Sequence, residues 1–193
     1  ERLSKSLDAA VSLADLNLSI RANDRLGYAA VESTNLLIEP QAEAASLSAA
    51  TFLRLDVVPV LTYLANSISV ADSADRPDST AIPYSTVAAL DPGQIPTGQF
   101  VLTDGTNVTD LGDDEILLNE WAANDLGATV GQTISLSYFV TKPGGRLDEQ
   151  SAQFKLTGIV RMDGWASDSG LTPTYEGITN AKGKVVVADA TST

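Results

Sequence analysis

Acidic side chains are the residues of this chain best able to do chemistry, because its 193 residues include no histidine and no cysteine. Cysteine nucleophiles, Ser-His-Asp triads and the usual His or Cys zinc sites are therefore excluded within it. Carboxylates, lysine, serine, threonine and tyrosine remain. Such a set permits acid–base work by paired carboxylates or the binding of a hard cation.

Two acidic clusters raise the possibility of a cation site. One contains Asp104, Asp110, Asp113, Asp114 and Glu115, and the other contains Asp72, Asp75 and Asp78. Asp104 and Glu115 have the spacing of the first and last ligands of a calcium loop. Threonine and valine stand where two further ligands and the required glycine belong, so the template fails. We expect both clusters to be solvated loops and predict no metal site.

Two further patterns suggest chemistry less directly. Glu120 and Asp125 flank a predicted helix as a possible acid–base pair, but a negative charge in the first turn of a helix explains Glu120 without catalysis. "KPGGR" at 142–146 has the composition of a phosphate cradle, yet it lies between two alternating strands rather than before a helix. We expect a hairpin turn there and predict no catalytic or cofactor-binding residue in the chain.

Two tryptophans and two glycosylation triplets complete the candidates. Trp121 lies in an apolar helix and is predicted to be a core residue, whereas Trp165 lies in a loop and either caps the core or contacts a partner. "NLS" at Asn17 and "NVT" at Asn107 match a short pattern with many chance occurrences. None of these residues identifies a ligand.

The charge of the chain restricts its partners. Twelve Lys and Arg against twenty-five Asp and Glu give a net charge of −13. Such a surface repels nucleic acid, and no basic amphipathic helix offsets the repulsion from anionic lipid. No apolar stretch approaches the roughly 20 residues that span a bilayer, so we expect a soluble chain. Because it begins at Glu1 without a signal segment, we expect it to be part of a longer protein.

The elements that position these residues follow from hydrophobic periodicity. Three- and four-residue spacing predicts an amphipathic helix over 1–14, and alternation predicts a hairpin over 16–39. Pro40 and an alanine-rich stretch predict a helix of about four turns. The apolar run from Val57 to Val70 predicts a central core strand entered after Pro59.

The second half of the chain predicts a smaller, strand-rich arrangement. A short strand over 84–90 precedes "DPGQIPTG" at 91–98, the strongest break in the sequence and our predicted subdomain boundary. Beyond it we expect a strand at 116–118, a helix capped by Asn119 and ended by Gly127, and a hairpin of two alternating strands up to Val160. A long loop and a last strand at 184–190 follow.

These patterns predict an α+β fold in two subdomains, with 1–95 as the first part and 96–193 as the smaller β-rich part. A groove between such subdomains is a common place for a binding site. A continuous apolar cleft bordered by Trp165 and the loop 161–180 would favour a module that binds a lipid, a lipoprotein or a peptide. A carboxylate-dependent hydrolase would instead need two acidic side chains facing one pocket.

The segment "LGDDEILLNEWAANDLGATVGQTISLSYFV", followed by "SAQFKLTGIV", resembles the MacB-like periplasmic core domain of FtsX-like and MacB-like ABC transporter permeases. "PVLTYLANSISV" and "IPYSTVAAL" resemble a bacterial subgroup of these permeases, and the similar segments together cover about 57–180. The tail "AKGKVVVADATST" departs from the family pattern. The matching positions are Asn119, Ala122, Leu126, Gly127, Val130, Gly131, Ile134, Leu156, Gly158, Ile159 and Val160.

The resemblance implies a porter-like subdomain with a smaller, mostly β insertion, placed between the first two transmembrane helices of a permease at the extracytoplasmic face of a bacterial inner membrane. It also implies a homodimeric or heterodimeric permease, a cytoplasmic ABC ATPase as partner, and contact with periplasmic protein or lipid cargo. In such families this domain transmits movement and has no catalytic centre or cofactor.

Overall fold

The computed structural model describes residues 12–35, 37–71 and 81–172. Contacts divide the chain into two compact units, Glu1–Val57 and Val58–Thr193. The segment 91–98 therefore lies inside the second unit, and the assignment of 1–95 and 96–193 as two subdomains stays a prediction. Most of the helix expected at 1–14, and the strand expected at 184–190, fall outside the described residues.

The first unit contains a two-stranded sheet and one helix. Strands β1 (Leu18–Asn23) and β2 (Tyr28–Ser33) form the predicted antiparallel hairpin, which is shorter than the expected span of 16–39. An ion pair of 2.6 Å joins Arg21 to Glu32 across it. Helix α1 (Pro40–Leu53) begins with proline at its first turn, as predicted, and ends at Arg54 in the left-handed region. Among the described residues of this unit, only Leu18 is buried.

The second unit contains a curled, mixed sheet and a short helix. The strands are β3 (Leu61–Val70), β4 (Ile82–Ala89), β5 (Glu115–Asn119), β6 (Thr133–Thr141) and β7 (Leu147–Val160). Their order is β4-β3-β6-β7-β5, in which only the β5–β7 pairing is parallel. Helix α2 (Glu120–Leu126) packs against β4, β5 and β7. Two helices and two sheets in the described residues confirm the α+β class.

The core of the second unit lies between the sheet and α2. Ile134 and Leu156 are fully buried at its centre, and Ala122, Ala123 and Leu126 contribute one face of the helix. The alternation predicted for β6 and β7 is confirmed, because Ile134 and Leu136 are buried on one and Leu156 on the other. Burial of such side chains stabilises a fold by about 2 kcal/mol each.

The prediction for the apolar run at 57–70 was right about topology and wrong about extent. Strand β3 is indeed an interior strand, since it pairs with β4 on one side and β6 on the other. Its buried positions are Thr62, Ala65 and Ile68, however, while Val57 and Leu61 are exposed. Residues before Leu61 precede the paired strand, so apolar character alone did not bury them.

Candidate functional site

A cavity of about 660 Å³ lies in the second unit, between the edge strands β4 and β5. This volume falls within the range of about 300–1,000 Å³ that is usual for small-molecule sites. Side chains of β3, β6, β7 and α2 also reach it, so the curled sheet and the helix together form its walls. Its apolar lining includes Ile68, Ile82, Val87, Ile116, Leu118, Leu136, Phe154, Val160 and Leu171.

One wall of the cavity belongs to a distorted part of β4. Tyr84 has a φ of 47°, in the left-handed region that side-chain-bearing residues rarely adopt, and the two residues after it, Ser85 and Thr86, are buried. Ser85 is 2% exposed and lines the cavity, and its hydroxyl has no hydrogen-bond partner in the described part of the chain. Backbone strain of this kind costs about 1–3 kcal/mol and is often found at functional sites.

The far side of the cavity is reached by the loop that follows β7. A 3-10 helix at Gly164–Ser167 buries Trp165, and the neighbouring Ala166 lines the cavity together with Leu171 and Thr172. The Thr172 hydroxyl is the second buried hydroxyl at this cavity without a partner among the described residues. The cavity is thus bordered by the described part of this loop, 161–172, but it lies within one compact unit, and Trp165 is buried beside it without lining it.

The charged groups at the cavity all have one sign. Asp91, Asp113 and Glu115 contribute to its lining, and no lysine or arginine does so among the described residues. The carboxylates of Asp91 and Glu115 already accept hydrogen bonds from the amides of Gly93 and Gly112, both at 2.9 Å. This negative border disfavours anionic ligands, since like charges repel most strongly where water is partly excluded.

Helix α2 contributes Trp121 and Ala122 to the cavity lining, and both of its ends are capped. The Asn119 side chain accepts a hydrogen bond of 2.8 Å from the amide of Ala122, as the sequence predicted, and Gly127 ends the helix at a φ of 60°. Such a cap satisfies an amide that the helix leaves open. Trp121, predicted as core, is instead 39% exposed and lines the cavity.

The acidic cluster at 104–115 is explained by turns. Asp104 accepts hydrogen bonds from the amide and the hydroxyl of Thr106, and these bonds lower the pKa of its carboxyl group. No group of three or more acidic side chains able to hold a metal ion occurs in the described residues. The second cluster, Asp72, Asp75 and Asp78, lies outside them.

The paired carboxylates on α2 have separate surroundings. Glu120 accepts a hydrogen bond of 3.0 Å from the amide of Met162, which joins the start of the helix to the chain just after β7. Asp125 is exposed near the other end of the helix. Glu120 therefore holds the start of the loop after β7 against the helix.

The remaining sequence motifs form turns. In "KPGGR" the Lys142 amide donates to the Arg146 carbonyl at 2.7 Å, and Gly144 and Gly145 both have positive φ, which confirms the hairpin turn between β6 and β7. Asn17 ends a short 3-10 helix (Ala14–Leu16) at a φ of 54°. The Asn107 side chain accepts a hydrogen bond from the amide of Gly98.

The residues that carry the resemblance have local structural roles. Gly131 has a φ of 97°, and its amide donates to the Leu156 carbonyl at 2.8 Å. A Cβ at Gly158 would lie 2.8 Å from a methyl group of Leu102 and 3.1 Å from one of Leu117, so only glycine fits there without movement. Val130 also belongs to the matching positions, but its side chain is 58% exposed and does not pack in the core.

No pattern in the sequence indicates the cavity itself. Ser85 stands in an unremarkable strand pattern, follows a residue in the left-handed region, and lines a cavity whose other wall, β5, begins 30 positions along the chain. The unusual positive φ of a tyrosine has no signature in sequence. No described helix has the length and apolar character needed to cross a bilayer. No family model and no curated protein sequence matches this chain.

Proposed function

We propose that this chain is a non-catalytic extracytoplasmic domain of a bacterial ABC transporter permease, one that transmits ATP-driven movement and contacts cargo or partner proteins. The observation that carries the proposal is the placement of the residues shared with that family. Asn119, Gly127, Gly131 and Gly158 cap, turn or pack one continuous unit of strand, helix and hairpin. A segment that transmits movement has to be stiff, and close-packed layers with capped ends provide stiffness.

The sequence and the partners of the full-length protein test this assignment. We expect helices able to span the membrane on both sides of the segment, and an ABC ATPase that co-purifies with the full-length protein from membranes. A secreted chain without such helices, or a membrane protein that recruits no ATPase, would refute it.

Stiffness can be tested in the same complex because the chain contains no cysteine. Ser67 on β3 and Ser137 on β6 face each other, with 2.8 Å between their hydroxyl oxygens, so a Ser67→Cys/Ser137→Cys pair should form a disulfide. We expect the oxidised variant to retain permease-coupled ATP hydrolysis, with each single cysteine as control. Loss of coupling on oxidation, restored by reductant, would mean that the sheet deforms during the cycle.

A second candidate function, a binding module for a lipid, lipoprotein or peptide, is favoured by a separate observation. The 660 Å³ cavity is mostly apolar and contains buried hydroxyls without partners in the described part of the chain. Apolar walls with few polar groups are typical of ligand sites. The two functions are compatible, because a permease domain that contacts cargo needs a place to hold it.

A further inference from the structure

The cavity between β4 and β5 selects among the possible ligands by shape and polarity. Its walls are built from aliphatic and aromatic side chains, including Ile82 at 1% exposure, Leu136 and Phe154. Burying apolar surface against them gains about 25 cal/mol per Å². Such walls favour a hydrocarbon body over a polar peptide backbone, which would leave amide groups unsatisfied there.

The lining of the cavity includes the hydroxyl-bearing residues Ser85, Thr86 and Thr172. The Ser85 hydroxyl is buried without a partner in the described residues, and a group in that state usually loses about 1–3 kcal/mol relative to water. A ligand oxygen or N–H at this point would recover that loss. The hydroxyl can donate or accept, so it matches an alcohol, an ester or an amide.

The negative charge around the cavity disfavours anionic ligands. The carboxylates of Asp91, Asp113 and Glu115 border the cavity without a cation among its described lining residues, and the whole chain has a net charge of −13. A fatty acid anion would enter against this field, whereas an uncharged molecule of the same length would not.

We infer that the cavity binds an uncharged amphiphile, with its hydrocarbon chain against the apolar walls and an alcohol, ester or amide group hydrogen-bonded to Ser85. This inference rests on the second candidate function, the binding module, and is independent of the permease assignment. Recognition of the neutral polar group therefore distinguishes lipid alcohols and esters from free fatty acids.

The test uses the purified full chain and two probes with equal carbon chains, decanol and decanoate, in calorimetric titrations at pH 7. We expect decanol to bind, and decanoate to bind at least about tenfold more weakly because of the carboxylates. Ser85→Ala should weaken decanol binding about fivefold, in line with the loss of one hydrogen bond, without lowering the unfolding temperature. Ser135→Ala, on β6 and away from the cavity lining, is the matched control.

A blocking variant keeps the test decisive. Ala88→Phe fills space on the β4 wall and should abolish decanol binding while the circular dichroism spectrum is unchanged. Equal binding of decanol and decanoate, or an unchanged affinity in Ser85→Ala, would overturn the inference. Absence of decanol binding to the full chain would overturn it as well.

Discussion

The two α-helices in the described residues differ in how their length relates to the burial of their side chains. Helix α1 has 14 residues of high helix propensity and no buried residue, whereas α2 has seven residues, of which Ala122, Ala123 and Leu126 are buried. Phe52 and Leu53 near the end of α1 are 87% and 62% exposed. Propensity thus accounts for α1, while packing and capping account for α2. Sequence alone made the longer helix the easier one to predict, but the shorter one builds the core and the cavity.

The largest difference between the two units should appear on truncation of leucine. Leu156→Ala removes a fully buried side chain and should lower the free energy of unfolding by about 3 kcal/mol, since the space left behind is only partly refilled. Leu53→Ala on α1 should change it by less than about 0.5 kcal/mol. Urea unfolding followed by circular dichroism measures both, and equal costs would show that α1 has a core partner.

A methyl group at Gly158 tests how closely the second unit is packed. Gly158→Ala should cost about 1–3 kcal/mol, because its Cβ meets the side chains of Leu102 and Leu117. The double variant Gly158→Ala/Leu102→Ala should be less destabilised than the sum of its single changes. Strict additivity of the unfolding free energies would mean that the contact is relieved without strain.

Capping distinguishes the starts of the two helices. Asn119→Ala should destabilise the second unit by about 1 kcal/mol, and Asn119→Ser should restore most of that loss. Glu39 begins α1 without a side-chain cap, so replacing it with a capping residue should stabilise the helix. Glu39→Ser is expected to raise helicity and to stabilise α1 by a few tenths of a kcal/mol. Loss of helicity in Glu39→Ser would contradict this account.

The smallest expected effect is on the pKa values of two exposed aspartates, one in each unit. The Ser12 hydroxyl is the main cause of the lowered pKa of Asp15, whereas the Thr106 amide is the main cause at Asp104. Ser12→Ala should therefore raise the pKa of Asp15 more than Thr106→Ala raises that of Asp104. Carboxyl titration by NMR decides the order, and a larger rise at Asp104 would contradict it.

The direction of the pH dependence follows from the same shifts. A carboxyl group with a lowered pKa in the folded chain stabilises it above the ordinary aspartate pKa. That contribution disappears as the pH falls through the lowered value. Both turns should consequently loosen only under acid conditions, and a loss of either hydrogen bond near neutral pH would contradict the assignment.

Most secondary structure in the described residues could be predicted because its signals are local. The hairpin of β1 and β2, the start of α1 at Pro40, the Asn119 cap and the glycine turn before β7 each depend on a few neighbouring residues. The interior position of β3 in the sheet could also be predicted, although the identity of its buried residues could not. The role of Glu120 was missed because its partner, the Met162 amide, is 42 residues away.

The sequence by itself determined the α+β class, the acidic surface and the absence of histidine and cysteine chemistry, since composition and short-range spacing are sufficient for these. Only the tertiary structure decided that β4 and β5 form the two edges of one curled sheet and enclose a cavity between them. Strand pairing over long sequence distances, together with a left-handed backbone at Tyr84, buries the Ser85 hydroxyl there. No local pattern encodes either feature, because both depend on contacts made after the chain has folded.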